Sequence, residues 1–195
     1  MWQAVPSDAV PERFASRRAF LLAHVQPGMR VLDLGAGDGA FAAELASAGC
    51  SVVAVDVAEE ALRRARSRVP GLDARFVREG DPLPLDEDSV DVVWAGEMLE
   101  HAADVVGVLA ELRRVLRWGG TLLATTPYHG RMHVASLALW PGALERHFDP
   151  RADHLRFFTA RSLQGVVQEA GFADVDVRAV GGVPILRREL RVVAR

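Results

Sequence analysis

Glu97-Met98-Leu99-Glu100-His101 sets two carboxylates and one imidazole at positions i, i+3 and i+4. On a helical turn those positions share a face, so Glu97, Glu100 and His101 can converge on one point. Two carboxylates and an imidazole suit a divalent ion of intermediate to hard character, Mg or Zn. Without an ion, His101 is a candidate general base. A plainer reading also fits: acidic residues at a helix start lie near its positive end and are favourable there with no ligand at all.

A second constellation is Val31-Leu32-Asp33-Leu34-Gly35-Ala36-Gly37-Asp38-Gly39-Ala40-Phe41. It reads as a buried strand, a glycine turn and a helix start. Gly35 and Gly37 permit positive φ and remove Cβ atoms, so a ligand can approach the backbone. The amides of the following helix present a partly positive surface. Asp33 sits at the strand end, where a carboxylate can meet a cationic group. Asp56 closes the next strand, Ser51-Val52-Val53-Ala54-Val55.

These residues must be carried by an alternation of elements. The spacing predicts a helix within Glu12 to Val25, a strand near 30–34, a helix over 39–48, a strand over 51–55 and a helix over 58–68. Strands near 74–78 and 90–95, a helix over 103–117 and a strand over 120–126 follow. Such alternation implies right-handed βαβ units and a parallel sheet covered on both faces. A helix from Thr159 to Ala170 precedes two closely spaced strands near 174–179 and 189–194, which predict a hairpin at one sheet edge. The expected α/β fold is doubly wound, with seven strands in the order 3-2-1-4-5-7-6 and the last antiparallel. Pro127 to Arg156 lacks periodicity yet holds four of the six histidines, with Tyr128, Trp140 and Phe148. A long irregular segment in a compact domain is usually functional, so an insert at about 127–158 is expected to cover a cleft. Its histidines His129, His133 and His147 are candidate bases or pocket linings.

With 195 residues, half of them hydrophobic and a quarter charged, the chain fits one soluble domain, residues 1–195. A formal net charge of −3 argues against a broad electrostatic grip on nucleic acid. The single cysteine, Cys50, can form no intramolecular disulfide, which agrees with a reducing cytoplasm. No apolar run is long enough to span a bilayer, and Met1 to Pro11 lacks the pattern of a signal peptide.

The glycine segment resembles motif I of class I S-adenosylmethionine (SAM)-dependent methyltransferases. It also satisfies the dinucleotide fingerprint G-x-G-x-x-G/A, so NAD(P) binding by an oxidoreductase is the rival. Asp33 and the third glycine, Gly39, favour SAM, because a carboxylate at Asp33 would sit badly beside a pyrophosphate. Leu83-Pro84-Leu85-Asp86-Glu87-Asp88-Ser89-Val90-Asp91-Val92-Val93 is similar to the family's LPF-x-D-x-S-F-D-x-V run, with Leu85 and Val90 in place of phenylalanines. Leu116-Arg117-Trp118-Gly119-Gly120 resembles its L-R-P-G-G corner, with Trp118 replacing proline.

The cofactor-contacting set implied by this resemblance is Asp33, Gly35, Ala36, Gly37, Gly39, Asp56 and Val57. An adenine-contacting acid is implied at Glu79, with Asp81 as its competitor. The pentapeptide resembles E-x-x-E-H of ubiquinone-biosynthetic O-methyltransferases and of small-RNA 2′-O-methyltransferases, some of which bind a divalent metal there. In the RNA enzymes a later histidine completes the site, and His154 is the counterpart here. The implied metal set is therefore Glu97, Glu100, His101 and His154, with His101 and His154 as the catalytic candidates. The implied reaction is methyl transfer from SAM to a small-molecule acceptor, with oxygen as the expected target. An RNA 2′-O-methyltransferase is the second reading. Neither the acceptor nor the oligomeric state is legible.

Overall fold

The computed structural model describes residues 11–149, 151, 153–183 and 187–195. Helix α1 (Phe14–Leu22) leads into β1 (Arg30–Leu34), α2 (Ala40–Ser47), β2 (Ser51–Asp56), α3 (Glu59–Arg68) and β3 (Asp73–Phe76). Next come β4 (Val90–Gly96), a 3₁₀ turn (Leu99–His101), α4 (Val105–Val115) and β5 (Leu116–Pro127). Helices α5 (Arg131–Leu139), α6 (Ala143–His147) and α7 (Ala160–Glu169) precede β6 (Val175–Val180) and β7 (Glu189–Ala194).

The seven strands form one sheet in the order β3-β2-β1-β4-β5-β7-β6. Pairing is parallel from β3 to β5, while β7 runs antiparallel to both β5 and β6. Strand order and the antiparallel β7 match the expected architecture and exclude six all-parallel strands of the dinucleotide type.

Strand alternation explains the two cores. Val31 of β1 packs with Leu21, Phe41, Leu45 and Trp94 on the face carrying α1 and α2. Leu32 and Leu34 point the other way, onto Leu109 and Leu112 of α4 and Leu163 and Val167 of α7. A sheet buried on both faces reads as near-continuous apolar strands, which is why β1, β2 and β4 were legible.

Several local expectations need correction. The first helix is shorter than Glu12–Val25, and β3 begins and ends earlier than 74–78. The helix expected over 103–117 stops at Val115, where Leu116 pairs with Val90. The register then jumps so that Thr121 pairs with Val92, leaving Arg117–Gly120 as an outward bulge with Gly119 at φ +76°. The segment expected to be irregular, Pro127 to Arg156, contains α5 and α6. Neither helix has a buried residue, so no apolar stripe announced them. No described helix is long and apolar enough to cross a membrane.

Candidate active site

The glycine loop lies at the carboxyl end of β1. Gly35, Gly37 and Gly39 all have positive φ. Gly39 serves packing: a Cβ there would lie 2.9 Å from the Ala65 Cβ and 3.0 Å from its Cα, so only glycine lets α2 start against α3. Gly35 joins the two sequence motifs, since a Cβ on it would stand 3.0 Å from Met98 Cγ. The loop and the Glu97–His101 turn therefore pack against each other, although more than sixty residues separate them.

Asp56, buried at the end of β2, holds the loop in place. Its Oδ2 accepts from the Gly37 amide at 2.8 Å and its Oδ1 from the Ala58 amide at 2.8 Å. Each oxygen keeps a further lone pair for a diol. Asp33 is 2% exposed, and its Oδ2 has no partner among the described residues. Burial, and then the Asp56 charge, raise its carboxyl to about 7. Ala36 is buried within the loop, and Val57 projects to solvent just past Asp56. Glu79 and Asp81 both lie exposed after β3. Glu79 is the one that reaches the opposite wall, where its Oε1 accepts from the Ala103 amide at 3.3 Å.

The E-x-x-E-H segment is not one helical turn. Glu97 adopts φ +53° and only Leu99–His101 are helical, as a 3₁₀ turn. Glu97 swings toward α1, where its Oε2 meets Arg17 Nη2 at 2.8 Å. Arg17, 4% exposed, also donates through Nε to Glu189 Oε2 at 2.9 Å. Arg191 Nε in turn donates to Glu189 Oε1 at 2.9 Å. This buried network joins α1, β4 and β7 and was not foreseen. Arg17 is thus taken by Glu97 and Glu189, and the neighbouring Arg18 pairs with Glu44.

Glu100, His101 and His154 do converge, each offering a ligand atom within 4.8 Å of the others. Backbone bonds deliver His154: the Leu155 and Arg156 amides donate to the Glu100 carbonyl at 2.8 and 3.0 Å. Arg156 also donates from its guanidinium to the Ala103 carbonyl. The imidazoles of His101 and His154 lie 4.9 Å apart, centroid to centroid. His101 Nδ1 is 2.9 Å from the Asp153 carbonyl. A carbonyl only accepts, so Nδ1 carries the proton and Nε2 keeps the lone pair in neutral His101. Both Glu100 carboxylate oxygens are buried without a partner among the described residues. Burial, and next the Glu97 charge, push Glu100 up to about 8. His154 is lowered, by burial first and then by His101.

The insert holds a third group, His129, His133 and His147, whose ligand atoms also lie within 4.8 Å of one another. Burial, followed by the neighbouring imidazoles of His147 and His133, lowers His129 to about 4. Residues 8–177 match the methyltransferase domain family. The chain belongs to that family. A probable SAM-dependent methyltransferase of Mycobacterium tuberculosis is 33% identical over 157 residues, covering 80% of this chain and 53% of that protein. A malonyl-[acyl-carrier protein] O-methyltransferase of Methylococcus capsulatus is 33% identical over 157 residues, covering 78% and 55%. The chain thus spans about half the length of these relatives. An S-adenosylmethionine-dependent methyltransferase structure from Mesorhizobium loti superposes with a TM-score of 0.73 at 22% identity, covering 97% of this chain and all of that one.

Proposed function

We propose that this methyltransferase transfers the SAM methyl group to an oxygen of a small-molecule acceptor. SAM would lie across the ends of β1 and β2, with its amino-acid part on Asp33 and the Gly35–Gly39 loop and its ribose on Asp56. The observation that carries the reading is the adjoining pair of buried acidic sites. Asp33 and Asp56 flank the glycine loop, and that loop packs through Gly35 against Met98 of the turn that carries Glu100 and His101, which His154 joins.

In SAM the methyl carbon is bound to a sulfonium, so the leaving group needs no acid. The protein must align the nucleophile with the carbon–sulfur bond and keep water out. A hydroxyl must also lose its proton, and the His101 Nε2 lone pair can take it. Residues 127–158 serve as the cover, with the exposed apolar side chains of Leu139, Trp140 and Phe148 available to an acceptor's apolar body.

Glu100, His101 and His154 also fit a divalent ion, since a buried carboxylate with no partner and two imidazoles form a mixed donor set. With Glu97 turned to Arg17, that set is softer than two carboxylates would make it, favouring zinc-class ions over Mg. Such an ion would supply Lewis acidity that lowers the pKa of a bound hydroxyl.

The test is a screen of catechols, phenols, carboxylates and amines for S-adenosylhomocysteine release. Turnover with hydroxyl or carboxyl acceptors is expected. Transfer confined to RNA 3′ ends, or confined to amines, contradicts the reading.

The cofactor half has its own pH signature. An Asp33 carboxyl raised to about 7 is largely protonated in acid, and a cationic amino acid binds the ionised form. SAM binding then releases a proton, and affinity should rise about tenfold from pH 5.5 to 7. Calorimetry in buffers of different ionisation enthalpy measures both quantities. A flat profile without proton release contradicts the Asp33 contact.

A further inference from the structure

We infer that the insert carries a transition-metal site of its own, built from His129, His133 and His147 and suited to a zinc-class divalent ion. The three imidazoles come from three separate elements. His129 follows the end of β5, His133 lies in the first turn of α5, and His147 ends α6. Their ring centroids form a near-equilateral triangle with sides of 5.1, 5.3 and 5.9 Å. Each ring offers one nitrogen within 4.8 Å of the other two.

Three observations favour a ligand over chance packing. First, His129 is only 7% exposed and its Nδ1 is buried with no hydrogen-bond partner among the described residues, as is His147 Nε2. A buried polar atom left unpaired costs free energy, and a coordinated ion would remove that cost at both nitrogens. Second, the position of His129 is fixed from outside the cluster. Its amide donates to the Phe158 carbonyl at 2.9 Å, and Tyr128 bridges to Phe158. Third, the surroundings are apolar. The Phe157 ring meets His129 edge-on at 4.9 Å, and Phe148 meets His147 in the same way at 4.9 Å. Both rings are themselves partly exposed, so they orient the imidazoles without sealing the site.

Imidazole-only donor sets select zinc and its neighbours over magnesium or calcium, and three protein ligands leave a fourth tetrahedral position open. The ion would also fasten the insert. Neither α5 nor α6 buries a residue, so apolar packing does little to fix them, whereas a shared ion ties both to the end of β5. Metal binding of this kind contributes directly to the order of the segment that holds it.

The site is tested by titrating metal-free protein with Co²⁺, read by visible d–d absorption, and by counting zinc per chain after dialysis. The parent should hold an ion that His133→Gln and His147→Gln each lose, lowering the count by one, while His154→Gln and Glu100→Gln keep it. Zn²⁺ should also slow proteolytic cleavage between residues 131 and 147 in the parent, His154→Gln and Glu100→Gln, but not in His133→Gln or His147→Gln. Far-UV circular dichroism and SAM affinity like the parent's confirm that each variant is folded. An unchanged metal count in folded His133→Gln and His147→Gln overturns the site. So does loss of all bound metal in His154→Gln, which would place the ion on the Glu100 cluster instead.

Discussion

Replacing His101 with alanine should lower kcat about 10²- to 10⁴-fold, the usual contribution of a positioned proton acceptor, while SAM affinity stays within about twofold of the parent's. The division follows from placement. His101 lies beyond β4, outside the glycine loop, and its Nδ1 hydrogen-bonds to the Asp153 carbonyl rather than to the loop. Losing the ring removes Nε2 and leaves Asp33, Asp56 and Gly37 undisturbed. Single-turnover rates with saturating SAM separate this from a binding defect. A His101→Ala protein that turns over at the parental rate, together with an equally active Glu100→Ala protein, would reduce the turn to a structural feature.

Arg17→Met should cost about 3–5 kcal/mol of stability, the range for breaking a buried ion pair from one side. Arg17 is held between Glu97 and Glu189, and Glu189 retains Arg191 when Arg17 is gone. The damage therefore falls on Glu97, already raised by burial and opposed chiefly by Arg17. Without the guanidinium its carboxyl rises further. The loss should then be largest at neutral and alkaline pH and shrink as acid protonates Glu97. Adding Glu97→Gln should restore a large part of the stability, because the uncompensated charge disappears. Urea unfolding of both variants at pH 5 and 8 measures this. A loss below about 1 kcal/mol at pH 8, no larger than an exposed pair gives, contradicts the role assigned to the network.

The two surprises at the site share a cause. Glu97 was expected to line up with Glu100 and His101 because local spacing allowed it. Its direction is instead decided by Arg17, eighty residues earlier, in a contact that no local pattern encodes. The same holds for Arg17, which reads as part of a charged helix face until β7 brings Glu189 beneath it. By contrast, β1 and the glycine turn were legible because each local signal agreed: a continuous apolar run, glycines where φ must be positive, and a helix that follows at once. The closing hairpin was legible from strand spacing alone. Helices α5 and α6 gave no such signal, since amphipathic periodicity exists only where a face is buried. The histidine triangle left a faint trace in the i, i+4 spacing of His129 and His133. His129, however, precedes α5, and His147 joins them only through the fold.

The central claim is that the glycine loop and the acids at the ends of β1 and β2 bind SAM. Its most direct measurement is a calorimetric titration of SAM into the parent and into Asp56→Ala. Asp56 accepts from Gly37 and Ala58 and is assigned to the ribose diol, and hydrogen bonds to a charged acceptor are worth about 1.5–3 kcal/mol. The parent should bind one SAM per chain, and folded Asp56→Ala should bind it about ten- to a hundredfold more weakly. A parent that ignores SAM, or a folded Asp56→Ala protein that binds it as tightly as the parent, would contradict the account.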